Sequence, residues 1–472
     1  MHFGTISLGQ GSMTVGIGKS YLSEIKINEE IPKRIFKEEA FVINDSAYKR
    51  APEYWSSFRP DTLTNKEQKT YKVIDSLGRK AHLDRKLKVM ELLLTNRLRY
   101  KFIDFELDKF IVFNDYEGFR AGVGLNTNHK FSKYFSLSSH GAYGFKDKSL
   151  KYGAGITFSL TKKINLNGGY LLDVIESGGM LFPQKSKLNL DESLRTYLIE
   201  RMDSLEKFYA QLNFGAIKYL NASIFVSQEY RNTTKGYHYT SESTNTTLYQ
   251  RNFSAFISGV NLRYAYNEQF IEFGEIKIPQ GTKYPVFNLL YEKGTQLFDG
   301  TLDFNRVDFK IDYQHSFTHI GRMKVQINSG YINSNLPYTY LYNGLGSNKR
   351  FSVSVPNTFE TMRMNEFVAN KFVALFYLHD FGHLLFKTEK FQPTFAIKLN
   401  AGFGTLNNVN QHLGISTKSY EKGFYETGLL LNNLLRSGFS SLGIGAFYRL
   451  GPYANVTPKD NLAVKLSLGI AF

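Results

Sequence analysis

The sequence predicts an all-β protein, namely a transmembrane antiparallel β-barrel of about sixteen strands, preceded by a small mixed α+β segment. Three observations predict this class. The 472 residues include 40 Phe and 31 Tyr but a single Trp, together with 39 Gly and a mean hydropathy of −0.30. No apolar run reaches the roughly 18 residues that a membrane-spanning helix requires. Long segments instead alternate apolar and polar residues, and a closed barrel crosses lipid by pairing every backbone polar group between strands.

The clearest alternation lies at residues 150–160, where every even position is apolar and the odd positions are small or polar. Residues 164–174, 307–313 and 323–327 repeat the pattern. A period of two places all the apolar side chains on one face of a sheet. A soluble two-sheet sandwich would also alternate, but its strands average five or six residues. The longer segments here match the roughly nine to eleven residues that cross a bilayer at a tilt, which favours the barrel.

Sixteen strands follow from this pattern, near residues 97–113, 117–127, 133–145, 149–160, 163–174, 207–217, 219–231, 251–266, 284–292, 301–316, 320–332, 366–380, 393–405, 423–435, 440–450 and 461–472. If the first strand runs outward from the periplasm, the long connections 175–206, 232–250, 333–365 and 406–422 lie outside the cell. We expect the short turns at Asn114, Thr318 and Ser437 on the periplasmic side.

One connection, 267–283, fits the pattern poorly. We treat it as a long inner turn, although its alternation between Phe270 and Ile278 would allow another strand. A count of eighteen strands therefore stays open.

Residues 1–96 are predicted to form a separate periplasmic segment before the barrel of residues 97–472. Short strands are expected within 14–27 and 40–43. A helix over 66–77 begins at a capping box, in which Thr64 precedes Glu67 by three residues. The first residues lack the charged region, apolar core and cleavage site of a signal peptide, so we expect an upstream portion of the protein.

A second helix is predicted over 80–94, with an apolar stripe along one face. Such a stripe usually packs within its own domain, and a place on the membrane surface is the alternative. The stripe consists of Leu83, Leu87, Met90 and Leu94.

The last strand carries a second signal. Its apolar positions alternate up to an aromatic C-terminus, in the order Val464, Leu466, Leu468, Ile470 and Phe472. This pattern resembles the β-signal by which the barrel assembly machinery recognises outer-membrane proteins. An edge strand with unpaired backbone and one apolar face suits temporary strand addition to another sheet. An even strand count then places the C-terminus in the periplasm.

The charge distribution and the absence of known motifs restrict the classes of function that the sequence allows. The net charge of +16 is spread along the chain without a basic block or a nucleic-acid-binding motif, which argues against nucleic acid as a partner. The same charge could meet outer-membrane lipid and the phosphates of lipopolysaccharide at the barrel rim. Cysteine is absent, and so are the HExxH, GxSxG and P-loop motifs, so we expect no enzyme and no cofactor. His379 and His383 have metal-ligand spacing, but they flank a strand end, which favours turn residues.

Several segments resemble a known family. They include the run 114–120 with Glu117, Gly118 and Arg120, and an earlier group formed by Trp55, Arg59 and Pro60. These segments are similar to an uncharacterised bacterial outer-membrane family, a domain of unknown function often fused to a carboxypeptidase-regulatory-like domain. Its barrel resembles the BamA and TamA surface-antigen superfamily. Further similar residues occur near 284–285, 336–338 and 359–367, so the resemblance spans most of the chain.

The resemblance implies a luminal role for the 333–365 loop. In the superfamily, the loop between strands eleven and twelve folds into the lumen and carries an arginine at its tip. Arg350 and Phe351 are the matching residues, without the glycine that usually separates them, and Glu366 is a candidate partner for the arginine. A solvated extracellular arginine is the alternative. The repeated periplasmic domains of BamA-like proteins are not readable in this sequence.

The resemblance further implies a barrel that assists insertion or translocation of proteins or lipids, with periplasmic proteins among its candidate partners. Its mechanism would use a weakly paired seam between the first and last strands, with the 333–365 loop controlling access. The first strand has broken alternation and charges at Glu106, Asp108 and Lys109. A diffusion channel or substrate-specific importer is the alternative, and a surface or luminal hydrolase ranks last.

Overall fold

A computed structural model gives the fold. It describes residues 2–7, 13–18, 25–27, 30, 39–43, 50–59, 61–80, 82, 85, 89, 91–92, 95–161, 163–179, 195–233, 236–243, 246–273, 276–349, 352–383, 388, 391–415, 417–437 and 440–470. The chain divides into two units. Unit 1 is Met1–Lys88 with Gln269–Gly281, and unit 2 is Val89–Glu268 with Thr282–Phe472.

Two helices and thirty strands are described. The helices are α1 (Pro52–Ser57) and α2 (Asn65–Lys80). The first strands are β1 (His2–Ser7), β2 (Met13–Gly18), β3 (Glu39–Ile43), β4 (Arg97–Tyr100), β5 (Ile103–Glu106), β6 (Ile111–Asn114), β7 (Gly118–Thr127), β8 (Phe135–Gly144), β9 (Ser149–Thr161), β10 (Ile164–Glu176), β11 (Met202–Phe214), β12 (Leu220–Asn232), β13 (His238–Ser243), β14 (Thr246–Gln250) and β15 (Asn252–Ala265). The others are β16 (Gln269–Phe273), β17 (Ile276–Gly281), β18 (Val286–Thr295), β19 (Phe304–Phe317), β20 (Gly321–Ile332), β21 (Tyr342–Asn343), β22 (Gly346–Asn348), β23 (Phe359–Arg363), β24 (Val368–Ala369), β25 (Lys371–Asp380), β26 (Thr394–Thr405), β27 (His412–Leu413), β28 (Phe424–Ser437), β29 (Ser440–Leu450) and β30 (Leu462–Ile470).

Unit 1 contains two small sheets. Strands β1 and β2 form an antiparallel hairpin. Strand β3 pairs in parallel with β16, which in turn pairs antiparallel with β17. The segment 267–283 is thus not a plain turn, and neither of its strands joins the large sheet. An eighteenth barrel strand drawn from this segment, the alternative left open by its alternation, is therefore wrong.

The helices of unit 1 follow their sequence signals in part. The capping box of α2 is formed, because the Thr64 N–H donates to Glu67 Oε2 at 2.8 Å and the Glu67 N–H donates to Thr64 Oγ1 at 3.4 Å. Helix α1 was not predicted, and it holds Trp55 half-exposed. The four apolar residues of the predicted 80–94 helix lie outside the described residues. Among the helices that the structure describes, none is long and apolar enough to cross a membrane.

Unit 2 is built on one large antiparallel sheet, in which all sixteen predicted strands appear. Fifteen of them are continuous, and the first is broken into β4, β5 and β6 around a 3₁₀ turn at Leu107–Lys109. Each strand pairs with the next long strand along the chain, and the order of strands is that of a barrel in which β30 is followed by β4. The fold class is therefore confirmed as an antiparallel barrel-like sheet with few helices.

The polarity of the two faces of this sheet is the reverse of that in a soluble protein. Large apolar side chains are exposed, such as Leu442 and Ile444 on β29 and Val464 and Leu466 on β30. The alternating positions are buried and carry charge, as at Lys465, which is 3% exposed. A soluble protein buries its apolar face, whereas a membrane barrel turns that face to lipid and keeps polar groups inside.

The ends of the sheet require one correction. The turn at Asn114 joins β6 to β7, and counting along the strand order places it at the same end as the 333–365 loop. The contact between Asp115 in this turn and Lys349 in the loop agrees with that placement. Its predicted grouping with the short turns at Thr318 and Ser437 is wrong, because the number of strands between Asn114 and Thr318 puts them at opposite ends.

Candidate functional site

The buried face of the sheet is covered by the 333–365 loop. The loop passes through a 3₁₀ turn at Tyr338–Tyr340 and the short strands β21 to β23. Its apolar residues form one cluster with inward residues of β15, β19 and β25. The loop members of this cluster are Leu336, Tyr338, Tyr340, Leu341, Tyr342, Phe359 and Met362. The loop therefore packs with these inward residues as an apolar core, inside a sheet most of whose large apolar side chains face outward.

A fully buried carboxylate, Glu360, anchors the loop to the last strands. Its two oxygens accept hydrogen bonds from Lys398 Nζ of β26 at 2.5 Å and from Lys465 Nζ of β30 at 3.0 Å. The Ser354 hydroxyl also donates to the carboxylate, at 2.6 Å. Burial disfavours the charged carboxylate, but the two ammonium groups outweigh it and hold the pKa of Glu360 below its ordinary value. Two strands are thus held to one point of the loop.

A second carboxylate, Glu426 of β28, binds the loop backbone beside this point. The N–H groups of Glu360 and Thr361 donate to its two oxygens at 2.8 and 2.9 Å, and the Asn400 side chain of β26 donates at 2.7 Å. Charge-assisted hydrogen bonds of this kind are stronger than neutral ones. They fix the position of the loop main chain as well as its side chains.

Glu366 has a partner other than the predicted one. Arg449 of β29 binds it through two parallel hydrogen bonds of 2.9 and 2.7 Å and also donates to the Thr361 carbonyl at 2.8 Å. Arg350 and Phe351 lie outside the described residues, so their luminal role stays a prediction. At this anchor, as at Glu360, the carboxylate lies in or directly after the loop and the barrel wall supplies the cation.

The opposite wall holds the start of the loop through arginines and tyrosine rings. Arg306 of β19 pairs with Asp308 at 2.8 Å and lies 4.6 Å from the centre of the Tyr342 ring. Arg231 of β12 lies 4.1 Å from the Tyr340 ring centre and donates to a loop carbonyl at 2.8 Å. A guanidinium over a ring face is attracted by the ring quadrupole, and more strongly when it is desolvated. The loop is thus tied to both sides of the interior.

Two wall glycines give space to loop rings. A Cβ at Gly330 would lie 2.4 Å from Tyr342 Cζ, and a Cβ at Gly402 would lie 2.6 Å from Phe359 Cζ. Any side chain at either position would displace an aromatic ring of the loop. These glycines therefore help to specify where the loop packs.

Three of the family-motif residues, Glu117, Gly118 and Arg120, form a separate cluster at the start of the barrel. Glu117 is buried, accepts a hydrogen bond from the Asn114 side chain at 2.6 Å and pairs with Lys151 at 2.9 Å. Gly118 has φ +67°, a left-handed conformation that suits glycine at this turn. Arg120 binds Asp173 of β10 through two bonds of 2.6 and 2.9 Å. Of the other motif residues, Arg59 lies 5.6 Å from the Tyr71 ring centre, and Pro60 lies outside the described residues.

The small sheet of strands β13, β14 and β27, with the residues just before it, contacts the 333–365 loop. His412 in β27 is buried, and its Nδ1 lies 2.9 Å from the Tyr237 hydroxyl. That hydroxyl also accepts the Tyr338 N–H at 2.8 Å. Burial lowers the pKa of His412 to about 4, so the imidazole is neutral at pH 7.

The two histidines with metal-ligand spacing are engaged with backbone groups. His379 Nε2 lies 2.7 Å from the Ile320 carbonyl, and His383 Nδ1 lies 3.2 Å from the Pro393 carbonyl. Among the residues that the structure describes, no group of His, Asp or Glu side chains is arranged to hold a metal ion.

The C-terminal strand keeps its predicted alternation. Leu462, Val464, Leu466 and Leu468 are exposed, while Ala463 and Lys465 are buried. The Phe472 ring and the Ile470 side chain lie outside the described residues. Its role as an assembly signal stays a prediction.

Sequence reasoning missed Glu360, Lys398, Glu426, Arg449 and Lys465. The last four are charged residues at inward positions of strands whose outward positions are mostly apolar. That pattern was a usable signal for a polar interior. It could not identify the partners, which come from distant parts of the chain.

Comparisons with known proteins agree with the fold. Residues 208–413 match a family model described as "Family of unknown function (DUF5686) C-terminal domain". The match runs from β11 to β27. It therefore includes the whole 333–365 loop. Among curated proteins, none matches this sequence.

Several solved barrels are similar in shape. BamA from Haemophilus ducreyi lacking POTRA domains 1–3 has 10% identity and a TM-score of 0.48, over 78% of this chain and 70% of that one. CdiB from Escherichia coli has 12% identity and a TM-score of 0.43, over 79% and 64%. Wzi, an outer-membrane protein of Escherichia coli involved in group 1 capsule assembly, has 10% identity and a TM-score of 0.29, over 76% and 80%.

Proposed function

We propose that this protein is an integral, non-enzymatic barrel of the bacterial outer membrane that assists insertion or translocation of proteins or lipids. The inverted polarity of the large sheet supports a place in lipid, because an exposed apolar face and a charged interior suit only that environment. The bacterial outer membrane is a membrane in which barrels of about sixteen antiparallel strands occur. The proposal places the segment before the barrel and the C-terminus in the periplasm.

The observation that carries the proposal is the filled interior beside a broken first strand. The 333–365 loop is held by buried ion pairs at β26 and β30, and Glu366 directly after it pairs with Arg449 of β29. The strand that follows β30 in the barrel order, β4, has four residues, whereas β30 has nine. A filled lumen disfavours free diffusion, and an incompletely paired strand edge favours contact with another extended chain.

A channel or importer is the second candidate, and one observation favours it. A buried polar atom of the inner wall, Asn167 Oδ1, has no hydrogen-bond partner in the described structure. Buried polar groups are normally satisfied, so water would have to reach this half of the interior. Conductance in planar bilayers separates the candidates, because a large steady pore would refute the filled-lumen proposal.

Depletion in cells followed by an outer-membrane proteome tests the function itself. We expect selective loss of other barrels or of surface lipids, with nutrient uptake otherwise preserved. Loss of uptake of one nutrient, with the proteome unchanged, would instead support the importer. Lipopolysaccharide at the rim, the assembly machinery during biogenesis and periplasmic proteins are the proposed partners.

A further inference from the structure

Helix α2 of unit 1 exposes its apolar side chains. Val73, Ile74 and Leu77 are 55%, 60% and 53% exposed, and none of the sixteen residues of the helix is buried. Positions three and four apart lie on the same face of a helix, so these three residues form one stripe together with Thr70. A helix of a globular domain normally buries such a stripe against a core. Helix α2 therefore carries an apolar face that no described part of the chain covers.

Positive charge accompanies this apolar stripe. Lys66 and Lys80 lie on the same face at its two ends, and Lys69 lies one helical turn before Val73. The whole helix has five basic residues and two acidic ones. Long lysine side chains can cover apolar surface with their methylene groups while the ammonium group stays in water. The face thus combines apolar contact with cations at its margins, which is complementary to a surface that is apolar below and anionic above.

The aromatic side chains of α1 are exposed as well. The ring centres of Tyr54 and Trp55 lie 5.4 Å apart, and that of Phe58 lies 5.0 Å from Tyr54. Each of the three residues is at least 40% exposed. Arg59 connects this group to α2, since its guanidinium lies 5.6 Å from the centre of the Tyr71 ring. Trp and Tyr rings are enriched where a membrane meets water, because they have an apolar body and a polar tip.

These features favour a lipid surface over a protein as the partner of α2. The centre of a protein interface is depleted of lysine, whereas each lysine near an anionic headgroup surface raises the affinity about fivefold. An amphipathic helix of this composition lies in the plane of the interface, with its apolar face below the headgroups. Residues 81–96 join α2 to β4 and span at most about 55 Å when fully extended, so a barrel in lipid keeps α2 within reach of the same bilayer.

We propose that helices α1 and α2 form a membrane-binding surface. The stripe of Thr70, Val73, Ile74 and Leu77 inserts at the boundary between headgroups and acyl chains, and the lysines of α2 bind anionic phospholipid headgroups. This inference rests on the proposed place of the barrel in the outer membrane and adds a second contact with lipid outside the barrel. The surface holds the segment before the barrel at the leaflet that faces the periplasm.

Spin labels at single cysteines test this surface in the full-length protein, reconstituted in lipid nanodiscs. The chain has no cysteine, so Thr70→Cys on the stripe and Gln68→Cys on the opposite face each introduce a single label. A third label, at Ile444→Cys on the exposed face of β29, reports whether the barrel itself contacts lipid. The measurement compares relaxation of each label by oxygen, which concentrates in lipid, with relaxation by a nickel chelate, which stays in water.

We expect oxygen to reach position 70 more readily than the nickel chelate does, and the reverse at position 68. The contrast should increase when anionic phosphatidylglycerol is added to phosphatidylcholine. Lys66→Gln with Lys69→Gln should lower the ratio of lipid-bound to free helix about 25-fold on the anionic mixture, and much less on phosphatidylcholine alone. An unchanged ratio in this variant would refute the role of the lysines.

Removing the stripe provides the matched comparison. Ile74→Gln with Leu77→Gln should abolish the contrast on both lipids, whereas Ser76→Ala, outside the stripe, should keep it. Lipid contact at position 444 with equal accessibility at positions 68 and 70 would overturn this inference and leave the proposed function standing. Protection of position 70 from both reagents would also overturn it, because protein would then cover the stripe. Absence of lipid contact at position 444 would refute the proposed function, and this inference with it.

Discussion

Neutralising Glu360 should weaken the barrel more than any single surface change. In Glu360→Gln, the ammonium groups of Lys398 and Lys465, which are 6% and 3% exposed, lose the carboxylate that both contact. Removing one partner of a buried ion pair costs about 3–5 kcal/mol, because an uncompensated charge remains buried. We therefore expect the free energy of unfolding to fall by about that amount at neutral pH.

The measurement is denaturant unfolding in detergent micelles, followed by far-UV circular dichroism, since the single Trp55 lies outside the large sheet. Glu421→Gln, at an exposed position, is the matched control and should change stability by less than about 0.5 kcal/mol. The double variant Glu360→Gln with Lys465→Met should recover part of the loss, because one excess positive charge is removed. A loss below about 1 kcal/mol in the single variant, or no recovery in the double variant, would refute the ion-pair reasoning.

Three further changes probe the same interior. His412 has a folded pKa of about 4 against an ordinary value near 6.5, so stability is complete above pH 6.5 and falls by up to about 3 kcal/mol toward pH 4; unfolding measured across this range in His412→Asn should lack that slope. Gly402→Val should displace the Phe359 ring and raise protease cleavage within the 333–365 loop, whereas unchanged cleavage would contradict the close approach. Arg449→Met leaves Glu366, whose side chain is 17% exposed, without its cation and should destabilise by about 2 kcal/mol, part of which Glu366→Gln restores; equal losses in the single and double variants would argue against this pair.

The barrel strands were predictable because each one carries its own evidence. Along β29 and β30, more exposed and less exposed side chains alternate at every described position. The apolar and polar residues of the sequence alternate with the same period of two. The break of the first strand into β4, β5 and β6 was only hinted at by the charges at Glu106 to Lys109. Local periodicity could not show how an irregular stretch pairs, because that depends on β7, with which both β5 and β6 form bridges.

The loop anchors were not predictable in the same way. Glu360 binds residues 38 and 105 positions away, and Glu366 binds an arginine 83 positions away, so no spacing in the sequence connects them. The expected pairing of Glu366 with Arg350 relied on nearness in the chain and on resemblance. Arg350 lies outside the described residues, so that pairing stays a prediction. The partner that the structure describes, Arg449, could not be identified from the sequence, because it depends on which inward positions of the sheet lie beside Glu366.

The parallel pairing of β3 with β16 has a consequence for how the protein is made. Two of the three strands in that sheet are supplied by Gln269–Gly281, far along the chain from β3. During synthesis, β3 must therefore wait for the barrel strands up to β15 before its partner exists, and closing so large a loop carries an entropic penalty. A fragment ending at Lys88 would lack that partner altogether. The sheet of β3, β16 and β17 therefore cannot form from residues 1–96 alone.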